Sequence, residues 1–255
     1  MFAFLRKVRK SLIVSGSTRK YILYAVGEIA LVVIGILIAL QVNNWNNQTK
    51  DQQKLNGYLQ TIKSNINDDL VQLEALKYEM DSVRGQCLQA MWLLDKSTFT
   101  PQEAEILYYS LINSFELNEF NCNVHGFEGL KVSGLLDLLQ GTELESLLFE
   151  YYKMSEVINH KEIRWNTYTQ GMQEHVMKSE YAPKWVKNNV RVNRNPELLS
   201  DPEAYKEIMH VLKNFFGNPA VMGLYTKMIG DHELDGIYLE TSSIGHEILA
   251  LIDQR

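Results

Sequence analysis

Tyr21–Val42 reads YILYAVGEIALVVIGILIALQV, an apolar run with a single charge, Glu28, and no proline. As an α-helix it rises about 33 Å at 1.5 Å per residue, enough to cross a hydrocarbon core of about 30 Å. The core helix of a soluble protein carries a polar stripe, whereas here the apolar residues run all the way round. Tyr21 and Tyr24 at one end and Trp45 at the other occupy positions where interfacial aromatics are expected. The pattern predicts a transmembrane helix over 21–42, with the lipid bilayer as its first partner.

Working outward, residues 1–42 hold six basic residues (Arg6, Lys7, Arg9, Lys10, Arg19, Lys20) against Glu28, while the chain as a whole carries −6 over 255 residues. Residues 43–255 therefore carry −11. Six Lys/Arg precede the apolar run and only Lys50 and Lys54 follow closely, so the N-terminus is expected in the cytoplasm and residues 43–255 outside it. The rival reading is a cleaved secretory signal. Its basic region would be 20 residues long, and no small-x-small pair follows the apolar run, which favours an uncleaved signal-anchor. The expected organisation is a basic cytoplasmic tail (1–20), a signal-anchor helix (21–42) and an exported domain (43–255). Within the tail, Phe2, Leu5, Val8 and Leu12 recur at helical spacing among the basic residues. Two readings stay open: the tail lies along the anionic inner leaflet, or its charges only fix topology.

Glu28 is the costly residue of the span. Gly35, seven residues on, shares its face, and Ala39 follows four later. Small residues let a second helix approach closely, and a carboxyl group there seeks a hydrogen-bond partner. Glu28, Gly35 and Ala39 are the candidate residues for self-association or for pairing with another membrane protein. The competing reading has Glu28 snorkel toward the basic side.

The elements Lys20-Tyr21, Gly27-Glu28, Leu31 to Gln41 and Asn43-Asn44-Trp45 resemble the N-terminal signature of an uncharacterised family of single-pass membrane proteins of Gram-negative bacteria. Each member carries a domain of unknown function. A second segment, Phe127-Glu128-Gly129-Leu130-Lys131-Val132-Ser133-Gly134, is similar to another stretch of that family. The resemblance implies an inner-membrane protein with a helical periplasmic domain, and it implies no activity.

Beyond Trp45 comes a polar stretch, 46–53. Then Leu55, Leu59, Ile62, Ile66, Leu70, Leu73, Met80, Val83, Cys87, Met91 and Leu94 recur mostly at steps of three or four. This predicts an amphipathic helix of about 40 residues, an irregular stripe that suits a bundle better than a long coiled coil. Thr100-Pro101-Gln102-Glu103 and Thr142-Glu143-Leu144-Glu145 read as capping boxes, the second opening a helix to about Met177. Asp201-Pro202 and Asn218-Pro219 mark two further starts, the second helix running on to Leu249. Residues 118–126 and 181–200 read as the longest non-helical segments. The fold class is all-α: one transmembrane helix followed by an exported bundle of about five or six helices, large enough to fold without metal or staples.

Cys87 and Cys122 are the only cysteines, and export places them in an oxidising compartment, which makes them a candidate disulfide. Cys87 also falls on the apolar stripe, where a buried free thiol is common. No HExxH, GxSxG, P-loop or GxGxxG is present, and catalytic, cofactor and metal residues are all read as none. Asp231-His232-Glu233-Leu234-Asp235 reads as a solvated face rather than a metal set, and Ser242/Ser243 with His246 as a chance helical spacing. The −11 charge disfavours nucleic acid as a partner. What remains is a membrane-anchored protein that acts through contacts as a scaffold, accessory or sensing partner. The alternative is an exported enzyme whose site is assembled from distant residues.

Overall fold

The computed structural model describes residues 18–96 and 98–255, and all secondary structure among them is helical. The tail reading over 1–20 lies almost wholly outside the described residues. Eight α-helices follow in order: α1 Thr18–Leu93, α2 Pro101–Asn113, α3 His125–Val132, α4 Glu143–Met177, α5 Ala182–Arg194, α6 Pro202–Phe216, α7 Pro219–Gly230 and α8 Glu233–Asp253. Two 3₁₀ turns, Leu135–Leu139 and Pro196–Leu199, complete the set. The chain divides into two compact units, Met1–Gly57 and Tyr58–Arg255.

In the first unit, α1 is encircled by exposed apolar side chains. The thirteen Ile, Leu and Val residues from Ile22 to Val42 are 47–72% exposed. This helix is long and apolar enough to cross a membrane.

The second unit has an ordinary core. Along α1 the stripe Leu59, Ile62, Ile66, Leu73, Met80, Cys87 and Ala90 is buried, as the periodicity predicts. Helix α4 packs along α8 and then α7, while α6 joins α2, α5 and the second 3₁₀ turn. Phe127 stacks on Tyr152 with ring centroids 4.4 Å apart. Close approach is enforced at Gly126, where a Cβ would come within 2.8 Å of Asn65 Oδ1 and 3.0 Å of the Ile62 backbone nitrogen.

Helix starts follow local chemistry. Thr100 accepts from the Glu103 N–H while Glu103 accepts from the Thr100 N–H at 2.9 Å, closing the expected box. At Thr142 half of the box forms: Thr142 Oγ1 accepts from Glu145, but the Glu145 carboxylate takes the Gly141 N–H at 2.7 Å instead. Asp201 and Asn218 cap α6 and α7, each with proline at the first helical position.

With the end of α1 counted, as in the expected five or six, the described residues of the second unit hold eight helices. Residues 181–200 are largely helical: Pro183 near the start of α5 and the buried Trp185, Asn188 and Val192 at steps of three and four carry a signal that the many basic and amide residues obscured. Residues 125–132 form α3, so the irregular segment is 116–124. The long final helix is two helices, because Asp231 leaves α7 with an extended backbone and then takes the Glu233 N–H at 3.0 Å to restart the chain.

Candidate functional site

The face proposed for pairing lies on the exposed part of α1. Among the described residues nothing falls within 4 Å of a Cβ built at Gly35, and Ala39 is exposed beside it. Gly35 and Ala39 thus form a small-residue patch that no described residue covers. Glu28 sits seven residues before Gly35 and is half-buried.

The most developed polar site lies in the second unit, and it grips part of the chain itself. Residues 116–124 have no regular secondary structure, so their peptide groups need partners from elsewhere. Two helices supply them. From α4, Asn166 accepts the Asn118 N–H at 3.1 Å and donates to the Asn118 carbonyl at 2.7 Å. Glu162 accepts the Phe120 N–H at 2.9 Å. From α1, Gln72 forms the same two-way pairing with Asn121, at 3.4 Å each way. Asp69 accepts the Asn123 N–H at 3.0 Å. Side-chain amides and carboxylates thereby supply the partners that regular secondary structure would otherwise give this segment.

Each carboxylate is fully or nearly buried and holds a tyrosine as well. The Tyr151 hydroxyl donates to Asp69 at 3.2 Å, and the Tyr238 hydroxyl to Glu162 at 2.5 Å. Cys122 Sγ donates to Asp69 at 3.4 Å. Burial pushes both carboxyl groups above the usual range, and the N–H groups of Asn123 and Phe120 oppose it only in part. Both cysteines are free thiols. Burial pushes each up to about 12, so neither supplies a ready thiolate.

A second polar node ties α1 to the end of α7. Arg84 donates to Asp235 at 2.6 Å, to Asp81 at 2.7 Å, and to the Met228 and Asp231 carbonyls at 3.2 and 3.3 Å. The Asp231–Asp235 cluster is therefore consumed by cations: Asp231 by Lys227, Glu233 by Lys161 and Asp235 by Arg84. Burial works to raise the Asp231 carboxyl, but Lys227 and the Glu233 N–H outweigh it and hold it below the usual range. Among the described residues no group of three or more His, Cys, Asp or Glu is set to hold a metal.

Cavities open on the second unit, two of which bear on the candidate residues. One, of about 170 Å³, is lined by Lys161, Arg164, Trp165, Lys227, Asp231 and Glu233. Its lysines are paired with its acids, and the Lys227 ammonium lies 4.9 Å over the Trp165 ring. The other, of about 650 Å³, is a groove between α1 and α8 that holds Ser242 and His246. Ser242 spends its proton on the Tyr238 carbonyl at 2.8 Å, a back-bond within the helix rather than activation by His246.

Residues 28–91 match a family of unknown function, DUF6090. The match covers about a quarter of the chain and includes Glu28, Gly35 and Ala39 together with Asp69 and Arg84. No curated protein and no solved structure matches. An uncharacterised domain is thus the shared feature.

Asp69, Glu162 and Arg84 escaped the sequence reading, although a signal was present. Asp69 lies three after Ile66 and four before Leu73, and Glu162 four after Ile158 and three before Trp165, so both carboxylates sit on an apolar stripe. A charge at such a position is buried only when partnered.

Proposed function

We propose that this chain is a single-pass protein of the Gram-negative inner membrane, with its N-terminus cytoplasmic and residues 43–255 periplasmic, that works through contacts rather than catalysis. The carrying observation is the exposure of thirteen Ile, Leu and Val side chains around α1 between Ile22 and Val42. On insertion scales each contributes about −0.3 to −0.6 kcal/mol at the helix centre, together about −5 kcal/mol, and one carboxylate costs about 3 kcal/mol on the same scales. The balance favours lipid even with Glu28 charged. The six basic residues before the span support the N-in orientation. In the membrane, Glu28, Gly35 and Ala39 form the pairing face, toward a second copy or another membrane protein.

The contact reading draws support from how the second unit uses its chemistry. Its two carboxylates with raised pKa face peptide N–H groups of residues 120 and 123 rather than a cavity. The test is fractionation of cells expressing the full chain. It stays with the membrane through alkaline carbonate, is released by detergent, and loses residues 43–255 to protease in spheroplasts without lysis. Recovery in the soluble fraction after breakage overturns the reading. Glu28→Leu and Gly35→Ile lower association in a membrane reporter assay, and unchanged signal removes the pairing face.

A further inference from the structure

We infer that the outward face of α1 between Val71 and Trp92 is a docking surface for a helix with an apolar face and basic flanks, which gives the contact reading above its periplasmic partner class. Val71, Tyr78 and Trp92 are 68%, 75% and 78% exposed. Spaced by seven and fourteen residues, they lie within about 60° of one another around the helix and span about 30 Å of its length. The buried stripe of α1 points elsewhere, so this is a second apolar face on a helix whose first face already fills the core.

Most positions between the large residues are small, the exception being the exposed Gln89 between Gly85 and Trp92. Ala75, Ser82 and Gly85 fall on the same seam at alternating steps of four and three. Among the described residues nothing approaches a Cβ built at Gly85, so their packing does not require glycine there, although glycine inside a helix costs about 1 kcal/mol against alanine. Large side chains alternating with small ones form the knobs and holes that a second helix fills. Beside Val71 and Tyr78 the seam opens into the 650 Å³ groove against α8, with Leu239 on its far wall, 54% exposed.

Charge selects the occupant. Glu74 and Asp81 flank the seam on the α8 side and Glu79 flanks it on the other. Asp81 is paired with Lys77 and Arg84, whereas Glu74 and Glu79 have no partner among the described residues. A second copy would bring Glu74 of one chain against Glu79 of the other in parallel register, and acids against acids in antiparallel register. An anionic lipid surface meets the same repulsion. A helix with Lys or Arg flanking its apolar face relieves it.

The test uses the full chain in phosphatidylcholine nanodiscs, with Tyr78 replaced by a photo-reactive benzoylphenylalanine. The probes are two 21-residue helical peptides with leucine on one face and either lysine or glutamate flanking it. The lysine peptide is expected to cross-link at position 78 about tenfold more than the glutamate peptide. Glu74→Lys with Glu79→Lys reverses that preference, and Gly85→Leu reduces cross-linking while circular dichroism stays unchanged. Equal labelling by the two peptides, labelling by neither, a cross-link to a second copy, or adducts to lipid each overturns the inference. Incorporation into the nanodisc is scored separately, so failure of anchoring is distinguished from failure of docking.

Discussion

Two stretches of α1 follow opposite rules. From Ile22 to Val42 apolar side chains surround the helix and every Ile, Leu and Val is exposed, while from Tyr58 to Leu93 a narrow stripe is buried and most other positions are polar. Both are equally helical, so backbone propensity does not separate them. The distribution of hydrophobicity around the axis does. It shows which solvent each stretch is built for: hydrocarbon on all sides for the first, and a protein core on one side with water on the other for the second.

The comparison breaks most visibly with charge in the apolar stretch. Ile34→Arg with Ile38→Arg costs about 6 kcal/mol of insertion energy and moves the chain from the membrane to the soluble fraction on carbonate extraction. Ser64→Arg, on the exposed side of the second stretch, leaves the partition unchanged. Truncation makes the converse test. Ile66→Ala destabilises the second unit by about 2–5 kcal/mol in urea unfolding of the detergent-solubilised chain, because Ile66 is fully buried. Leu37→Ala leaves that transition where it was. Equal effects would show that the two stretches share one environment.

The clamp on residues 118–123 sharpens the contrast with a smaller effect. Glu162→Ala strips the Phe120 N–H of its acceptor and the Tyr238 hydroxyl of its partner, costing about 1–3 kcal/mol. Asp69 and Glu162 also leave a pH signature. Their folded-state pKa values are raised, so the native state holds protons that the unfolded state has already lost. Stability from these groups is therefore fullest below the unfolded carboxyl range near 4 and declines as pH rises toward the folded values. Asp69→Asn with Glu162→Gln keeps one acceptor oxygen at each site for the peptide N–H, removes the titrating proton, and flattens that decline in urea titrations between pH 4 and 7. An unchanged slope would remove the burial argument.

Smallest are the glycines. Gly171→Ala on α4, where a Cβ meets open space, stabilises by about 0.5–1 kcal/mol, while Gly126→Ala destabilises because the new carbon presses on Ile62 and Asn65. Thermal unfolding of the two variants in parallel reads both signs.

The sequence carried the large features because they repeat. The apolar run, the α1 stripe, the Thr100 box and the Asp-Pro and Asn-Pro starts are local patterns, and each forms an element close to where it was expected. The break at Asp231 was missed because apolar residues continue at helical spacing across it. Helix α5 was missed because its amides and basic residues masked its amphipathic spacing. The clamp was illegible for a different reason: Asp69, Gln72, Glu162 and Asn166 come from helices nearly a hundred residues apart and meet on a segment with no pattern of its own. Only their placement on apolar stripes hinted at it.

That clamp makes a stretch without helix or strand one of the more firmly held parts of the molecule. The amide protons of Phe120 and Asn123 are shut away against carboxylates whose own neighbours lie in the core, so deuterium enters there only when α1 and α4 separate. In an exchange experiment this apparent loop is expected to retain its protons as long as the helices that hold it.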